Sequence, residues 1–473
     1  MKFTTSSMNP TTDYDVMIIG GGPAGYSAGL TLLKRGGVSV AVLEMNSCNE
    51  DNLGESLSPT VRPVLEYLNI YAQFEKEHTM LPQASQAAWG RNEMRSLHYM
   101  ANSHGQAWNI DRHHFDEMMA EEFVLCGGDL LKKFQVMACA PLPNELWQVQ
   151  VQDDAHQVKM LRCRYVIDAS GRRNFMSKQL DIPLQVHDRL VGLGCIGVYP
   201  EGAVNEFHTQ VEACEYGWWY TTCLSGNRMA CVLMSDPDII ARMRIHQPDE
   251  WQMLMSFMPF TSLRTADVKF FEKPKSYPSF TSILKDVGGK NWIAVGDALT
   301  SHDPLLFSGI PHALTSGMHG GLVAADSLCG DGRLFDIYRE SIQDDFAKYL
   351  KTQWEYYQSE ARWTESVFWK RRRTVLNLNM HALVSKLNLE KQANLSIAHH
   401  LSFDLMHDLL DQCAPMLALH QVVRQFIRLH PELPEDLVNL AIQEWVDLGV
   451  IEVDLKSINT SEMNKNSKTN KVN

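Results

Sequence analysis

Residues 14–44 decide the fold, and their sequence is YDVMIIGGGPAGYSAGLTLLKRGGVSVAVLE. The short apolar run Tyr14–Ile19 predicts a buried strand, and residues 38–43 predict a second one. Between them, residues 26–35 have the pattern of a helix that ends at two glycines. This order of strand, turn, helix and strand predicts a parallel sheet with a right-handed crossover, and therefore an α/β protein.

The turn inside this unit carries a dinucleotide-binding fingerprint. Three glycines spaced G-x-G-x-x-G follow the strand and open the helix, where a tight turn and the helix N-terminus favour a pyrophosphate. Glu44, at the end of the second strand, is expected to accept hydrogen bonds from ribose hydroxyls and to disfavour a 2′-phosphate, so both FAD and NAD fit. The alternative is a tight turn without a ligand. From this unit the predicted cofactor-binding residues are Gly20, Gly22, Pro23, Ala24, Gly25 and Glu44.

Composition excludes several classes of protein. The chain has 473 residues and a net charge of −13, which argues against a nucleic-acid binder. No apolar run reaches the ~18 residues of a membrane helix, and the polar N-terminus predicts no secretory signal. The 10 cysteines include no C-x-x-C pair, which indicates reduced thiols in the cytoplasm and no metal site.

Hydrophobic patterning divides the chain further. A loop-rich stretch is expected from residue 45 to about 110, and a run of short strands fills residues 186–284. The order of elements predicts a discontinuous dinucleotide-binding domain over residues 1–185 and 285–340, with residues 186–284 as an inserted, mostly antiparallel substrate sheet. Residues 341–455 are predicted to be helical, and the polar tail 456–473 to be disordered.

Five further motifs point to a family. Residues 168–172 read DASGR after one predicted strand, and residues 296–298 read GDA after another. Residues 301–310, which follow the second of these motifs, read SHDPLLFSGI. Residues 54–59 read GESLSP and residues 217–219 read GWW. Together with the N-terminal fingerprint, this order resembles the FAD-dependent hydroxylases of the aromatic-hydroxylase fold, and more closely their flavin-dependent halogenase branch. The resemblance covers roughly residues 14–345 and implies FAD as the cofactor, in a Rossmann-like domain.

The resemblance also implies roles for individual residues. Asp297 would accept a hydrogen bond from a ribityl hydroxyl, and the helix that begins near Ser308 would direct N–H groups at the flavin. Arg112 would reach the phosphates, with a surface ion pair as the alternative. The cofactor-binding residues implied in this way are Arg112, Asp168, Gly171, Gly296, Asp297, Ser308, Gly309 and Ile310.

Two departures separate the sequence from the halogenases. Halogenases need a lysine in the loops that follow the G-E-x-x-x-P segment, and this chain has none between Lys76 and Lys132. Their W-x-W-x-I-P motif, which shields the flavin from the substrate, is replaced at residues 218–222 by WWYTT. These departures favour a flavin monooxygenase that uses O₂ and reduced FAD.

This variant resembles flavoproteins that help to build tryptophylquinone cofactors in partner oxidases of the glycine- and lysine-oxidase type. That resemblance implies hydroxylation of a tryptophan side chain within a precursor protein. A flavin reductase or transiently bound NAD(P)H would supply electrons, because no second G-x-G-x-x-G unit opens a helix after a strand. A halogenase and a flavin-bearing binding module without chemistry of its own are the alternatives.

Candidates for the reacting groups come from the motifs expected near the flavin. Glu55, His302 and Asp303 are candidate general bases. Each has a structural alternative: Glu55 as a turn cap, His302 as a core histidine and Asp303 as a turn holder. Trp218, Trp219 and Tyr220 are predicted to line a substrate cavity, and core packing of the strand is the alternative. The cluster at residues 371–373 fits either an acidic partner surface or a solvated helix face.

Overall fold

The computed structural model describes residues 12–45, 55–77, 84–98, 107–200, 208–373, 382–388, 390–391, 400–401, 403–431, 433 and 435–454. The predicted disordered tail, residues 456–473, lies outside them. The strands are β1 Tyr14–Ile19, β2 Val40–Glu44, β3 Glu55–Leu57, β4 Ala84–Ala88, β5 Arg95–His98, β6 Trp108–Ile110, β7 Asp129–Lys132, β8 Gln135–Pro141, β9 Trp147–Gln152, β10 Val158–Asp168, β11 Leu184–Val186, β12 Val191–Val198, β13 Thr209–Cys214, β14 Gly217–Leu224, β15 Arg228–Ser235, β16 Lys269–Phe270, β17 Lys275–Pro278, β18 Ser282–Leu284, β19 Gly288–Gly289, β20 Trp292–Ala294, β21 Thr300–Ser301, β22 Leu383–Leu387 and β23 Ile451–Asp454.

The helices complete the architecture. They are α1 Pro23–Arg35, α2 Arg62–Tyr67, α3 Tyr71–Glu77, α4 Arg112–Leu125, α5 Phe175–Gln179, α6 Pro237–Arg242, α7 Pro248–Ser256, α8 Thr261–Thr265, α9 Gly309–Leu328, α10 Arg333–Ser359, α11 Val367–Arg373, α12 Phe403–Gln412, α13 Leu419–Leu429 and α14 Glu435–Asp447. Short 3₁₀ turns lie at Pro59–Val61, Gly171–Arg173, Gly296–Ala298 and Pro304–Leu306. None of the helices in the described ranges is both long and apolar enough to cross a bilayer.

A mixed sheet forms the cofactor side of the molecule, and its strand order is β19-β20-β10-β1-β2-β7. The pairs β1–β2, β1–β10, β10–β20 and β2–β7 are parallel, which confirms the predicted α/β class. Strand β1 is central because four of its six residues are buried apolar groups. The parallel strands therefore place three widely separated sequence motifs at one edge of the sheet.

A second sheet has the order β16-β12-β15-β14-β13-β4-β5, and β17 pairs with β12. Its central strands β12 to β15 pair antiparallel, as predicted for the inserted region. Strands β4 and β5 come from the stretch that was expected to be loop-rich, and β4 pairs parallel with β13. Short strands of small residues such as Ala84–Ala88 carry little strand signal on their own, so the larger sheet determines their structure.

The chain divides into two compact units after Arg362. The first unit extends beyond residue 340, the predicted end of the cofactor domain. Helix α10 continues without a break to Ser359 and buries Tyr338, Ile342 and Phe346. The second unit has a core of its own around Leu409, Phe426 and Trp445. It is not purely helical, since β22 and β23 pair antiparallel within it.

Candidate active site

The glycine-rich turn forms a cradle at the N-terminus of α1. Gly20 has φ of +107°, and a Cβ there would lie 2.3 Å from the Ala169 carbonyl oxygen. A Cβ on Gly25 would lie 2.1 Å from the carbonyl oxygen of Gly20, so both positions require glycine for close packing. A Cβ on Gly22 would meet no atom within 4 Å. Gly22 therefore leaves open space in front of α1, whose N-cap provides no side-chain hydrogen bond.

Glu44 braces this turn from the end of β2. Its Oε2 atom accepts a hydrogen bond of 2.6 Å from the Gly21 N–H. The contact fixes the carboxylate beside the glycine-rich turn. Glu44 is not among the residues that line the cavity in front of α1, so a contact with a ribose remains a prediction.

A cavity of about 630 Å³ opens from the α1 N-terminus. Its size is typical of small-molecule and cofactor sites. Residues from all three predicted cofactor motifs meet around it, together with an apolar wall from the second sheet. The lining residues are Gly22, Pro23, Ala24, Ser56, Arg112, Ala169, Ser170, Gly171, Arg172, Arg173, Tyr220, Val232, Met234, Tyr277, Pro278, Ser279, Val295, Asp297, His302, Pro304, Phe307, Gly309, Ile310 and Ala313.

The comparisons with known proteins agree with this geometry. Residues 13–239 match the family described as an FAD binding domain. LodB of Marinomonas mediterranea, which is described as an FAD-dependent oxidoreductase, is 30% identical over 366 residues, covering 76% of this chain and 96% of LodB. The chain belongs to the FAD-dependent oxidoreductases.

Solved structures of low identity show the same fold as this flavoprotein. The flavin-dependent halogenase CmlS matches with a TM-score of 0.69 and 18% identity, covering 92% of the flavoprotein and 78% of CmlS. QhpG, a peptidyl tryptophan dihydroxylase essential for tryptophylquinone cofactor biogenesis, matches with a TM-score of 0.61 and 19% identity. That match covers 79% of the flavoprotein and 83% of QhpG.

The residues around the cavity fit FAD. The open backbone at Gly22 and the uncapped start of α1 suit a pyrophosphate, because helix N-termini attract anions. Helix α9 begins at Gly309 with no side-chain cap, and Gly309 and Ile310 line the same cavity. Two helix N-termini therefore face one space, and the flavoprotein can hold anionic groups there with backbone N–H groups alone.

Arg112 lies at the start of α4 on the cavity wall. Its guanidinium forms an ion pair of 3.2 Å with Asp116, and both side chains are largely buried. Arg112 lines the cavity, and Asp116 holds its guanidinium in place. The ion pair is therefore compatible with the predicted contact between Arg112 and the cofactor.

Arg172 joins the cofactor motifs to each other, a role that sequence reasoning missed. Its Nε lies 3.2 Å from the Asp297 carboxylate, and its other nitrogens donate to the carbonyl oxygens of Phe280 and His302 at 2.6 Å and 3.1 Å. It also lies over the Phe280 ring. The only sequence signal was its place directly after the Asp168–Gly171 motif.

The other predicted cofactor residues divide into those that line the cavity and those that stabilise the turns beside it. Asp168 is fully buried, and its carboxylate accepts hydrogen bonds from the Ser170 and Met176 N–H groups. Asp168 therefore braces a turn and does not line the cavity, and burial raises the pKa of its carboxyl. Gly296 packs against Ala24, and Ser308 is the N-cap of α9, while Gly171 and Asp297 line the cavity directly.

His302 is the predicted base that the structure places on the cavity wall. Its Nδ1 lies 3.0 Å from the Ser308 Oγ, and its ring lies 4.4 Å from that of His312. Burial lowers the pKa of His302 well below its usual range, and His312 and Arg172 lower it further. His302 is therefore a neutral imidazole at pH 7, able to accept a proton or a hydrogen bond.

Asp303 does not line the cavity, which corrects the expectation that it touches the reacting atoms. Its side chain turns into the protein because Asp303 caps the 3₁₀ turn Pro304–Leu306 and accepts from the Leu305 N–H. Burial, together with the charge of Asp188, raises the pKa of Asp303 to about 6. Glu55 begins β3, and its side chain lies outside the described part of the flavoprotein.

Of the three aromatic residues Trp218, Trp219 and Tyr220, only Tyr220 lines the cavity in front of α1, and its contact with a substrate stays a prediction. Trp219 points to the opposite face of β14 and packs edge-on against Trp251 at 5.2 Å. Trp218 lies on the face of Tyr220 but is fully buried behind Trp89 and Tyr357. The alternation of side chains along a strand explains why three consecutive aromatic residues cannot share one cavity.

Proposed function

We propose that this flavoprotein is a monooxygenase that hydroxylates an aromatic group, a tryptophan side chain of a precursor protein, during quinone cofactor biogenesis. The observation that carries the proposal is one continuous cavity. The dinucleotide turn at Gly22 and the start of α9 form one side of it, and Tyr220, Val232 and Met234 of the second sheet form the other. This cavity supports a site in which cofactor and substrate would share one space.

The wall opposite the dinucleotide turn suits an aromatic substrate. Tyr220 and Phe307 lie with their ring centroids 6.0 Å apart, and Tyr277, Val232 and Met234 extend the apolar surface. An indole ring gains free energy from such a wall by burial and by edge contacts between rings. The hydroxyl of Tyr220 accepts a hydrogen bond from the Ser56 N–H at 3.2 Å, which fixes this ring.

The protein groups around the cavity have distinct tasks. FAD, when reduced, supplies the activation of O₂. Arg112 and the two helix N-termini bind anionic groups, and Arg172 holds Asp297 in place for a hydroxyl group of the cofactor. His302 is positioned to accept the proton that the aromatic ring or the new hydroxyl loses.

One comparison supports the choice of substrate, and one sequence feature supports hydroxylation over halogenation. QhpG, whose fold this flavoprotein shares, acts on a peptidyl tryptophan in tryptophylquinone biogenesis. The absence of any lysine between Lys76 and Lys132 removes the residue that halogenases use to present hypohalous acid. We propose a precursor protein as the partner, and a flavin reductase or transient NAD(P)H as the source of electrons.

The test uses the holoenzyme with a flavin reductase, NADH, O₂ and tryptophan probes. The probes are N-acetyltryptophanamide and a tryptophan-containing peptide, and mass spectrometry follows the product. We expect the mass to rise by one or two oxygen atoms. A Tyr220→Leu variant should need a higher probe concentration for the same rate, and Trp219→Phe is the matched control on the other face of β14. Release of hydrogen peroxide alone, with every probe unchanged, would contradict the proposal.

Halogenation is the second candidate, because the fold of CmlS covers 92% of the chain. Bromide added to the same assay separates the two functions. We expect the product distribution to remain oxygenated at every bromide concentration, since the lysine that halogenases require is missing. A brominated indole would instead favour a halogenase that uses another residue in place of that lysine.

A further inference from the structure

Helix α10 presents a polar ridge to the segment that carries His302. The ridge consists of Tyr349, Gln353 and Tyr357, which are spaced four residues apart and so lie on one face of the helix. All three contact His302 or Asp303. We call these three residues the α10 ridge.

The α10 ridge holds Asp303 from two directions. The Asp303 N–H donates to the Tyr349 hydroxyl at 2.6 Å. Its Oδ2 atom accepts hydrogen bonds from Gln353 at 3.1 Å and from the Tyr357 hydroxyl at 2.6 Å. Trp218 donates its indole N–H to the Tyr357 oxygen at 3.2 Å, so the proton of that hydroxyl is directed at Asp303. The backbone and the carboxylate of Asp303 are therefore both fixed by one helix.

The same helix fixes the ring of His302. The Tyr349 ring stacks on the imidazole with 3.9 Å between centroids and 10° between planes. On its edge, the imidazole Nδ1 meets the Ser308 hydroxyl at 3.0 Å. Tyr349 thus links the orientation of His302 to the backbone of Asp303.

We propose that the α10 ridge positions His302 at the cavity, directly through the Tyr349 ring and indirectly through Asp303, and that Asp303 is a positioning residue whose charge state sets this placement. The proposal rests on the proposed function, in which His302 accepts the proton released during hydroxylation. It assigns to Asp303, Tyr349 and Tyr357 a role without any contact with the substrate.

The hydrogen bonds explain why the charge of Asp303 matters. When Asp303 is ionised, it accepts from Leu305, Gln353 and Tyr357 at once. When Asp303 is protonated, its carboxyl O–H becomes a donor that faces the Tyr357 hydroxyl. The Tyr357 oxygen already accepts a hydrogen bond from the Trp218 indole N–H. One donor of the cluster then loses its acceptor, which is costly in a buried site.

The charged groups around Asp303 are few. Asp188 faces it and raises its pKa, and the Tyr349 and Tyr357 hydroxyls face it from α10. His302 and Arg172 lie next to the segment, and His312 lies behind His302. Burial lowers the pKa values of His302 and His312, which favours their neutral forms, whereas burial and the charge of Asp188 raise the pKa of Asp303 to about 6.

The test is a pH titration of the absorption and fluorescence of FAD in the holoenzyme, without substrate, from pH 5 to 8. We expect a transition near pH 6 in the wild type. In Tyr357→Phe the midpoint should rise by about one pH unit, because the hydrogen bond from Tyr357 stabilises the charged carboxylate. The matched control is Tyr338→Phe on the same helix, whose hydroxyl donates to the Ala294 carbonyl, and its midpoint should not move.

A second pair of variants tests the link to His302. Tyr349→Phe keeps the stacked ring but removes the acceptor of the Asp303 N–H, so it should lower kcat, although less than Tyr349→Leu does. Tyr349→Leu also removes the ring and should lower kcat about tenfold or more with little change in KM. The absence of a transition in the wild type, or equal midpoints in the wild type and Tyr357→Phe, would overturn the inference. The titration needs no substrate. A failed hydroxylation assay would therefore contradict the proposed function without changing the pH transition measured in the FAD spectrum.

Discussion

Replacing Gly22 by alanine should weaken FAD binding without lowering the free energy of unfolding of the flavin-free protein. The added methyl group meets no protein atom within 4 Å and projects into the cavity in front of α1. There it obstructs the approach of a pyrophosphate to the helix N-terminus. Losing one hydrogen bond to a charged group costs about 1.5–3 kcal/mol, which corresponds to a rise in Kd of roughly ten- to a hundredfold.

The assay is a fluorescence titration of FAD into the flavin-free protein, combined with urea unfolding of the same sample. The free energy of unfolding should stay within about 1 kcal/mol of the wild type, because Gly22 has φ of −92° and alanine tolerates it. Gly25→Ala is the contrasting variant, since its methyl would lie 2.1 Å from the Gly20 carbonyl oxygen and should destabilise the flavin-free protein as well. Wild-type affinity in Gly22→Ala, or a loss of stability as large as that of Gly25→Ala, would refute the reasoning.

Three further outcomes follow from the packing of the site. Trp219→Ala should lower the free energy of unfolding by about 3–5 kcal/mol, measured in urea, whereas Tyr220→Leu should mainly raise KM. Arg172→Met removes an ion pair and two hydrogen bonds around the cavity and should weaken FAD binding about tenfold, with the exposed Lys178→Met unchanged. Because the folded-state pKa of Asp303 is raised to about 6, its contribution to stability is full below about pH 4 and is lost as the pH rises to about 6, by roughly 3 kcal/mol. Unfolding curves of Asp303→Asn should lack this slope, and an identical slope in both proteins would count against the assignment.

The cofactor half of the site was predictable because local rules govern it. A strand followed by G-x-G-x-x-G restricts the backbone to few conformations. The strand β1 and the helix α1 lie on either side of this motif, as the sequence predicted. The distant motifs at Gly171 and Asp297 were expected to meet the first one, and all three line one cavity. Parallel strands make this possible, since their carboxyl ends share an edge.

The substrate half was less predictable because it depends on which face of an element is buried. Three consecutive aromatic residues on β14 suggested a lining, but alternation sends Trp219 to the core and leaves Tyr220 in the cavity. The sequence of β14 does not reveal which face meets the cofactor. That choice depends on what packs on each face, since Trp251 packs against Trp219 on one face and Phe307 lies beside Tyr220 on the other.

The contacts of α10 were hidden for a different reason. A helical region was expected from residue 341, but its partner Asp303 lies about 50 residues earlier in the chain. Side-chain hydrogen bonds across such a separation leave no local pattern. For the same reason Asp303 looked like a group that touches the reacting atoms, although its carboxylate is enclosed by the protein.

The central claim is that a single cavity brings reduced FAD, O₂ and an aromatic side chain together. The most direct test supplies isotopically heavy O₂ to the reduced holoenzyme in ordinary water, with the tryptophan probe present, and measures the label in the product. We expect each new carbon–oxygen bond to carry heavy oxygen from O₂. Oxygen derived from water, or an unmodified probe accompanied by stoichiometric hydrogen peroxide, would contradict it.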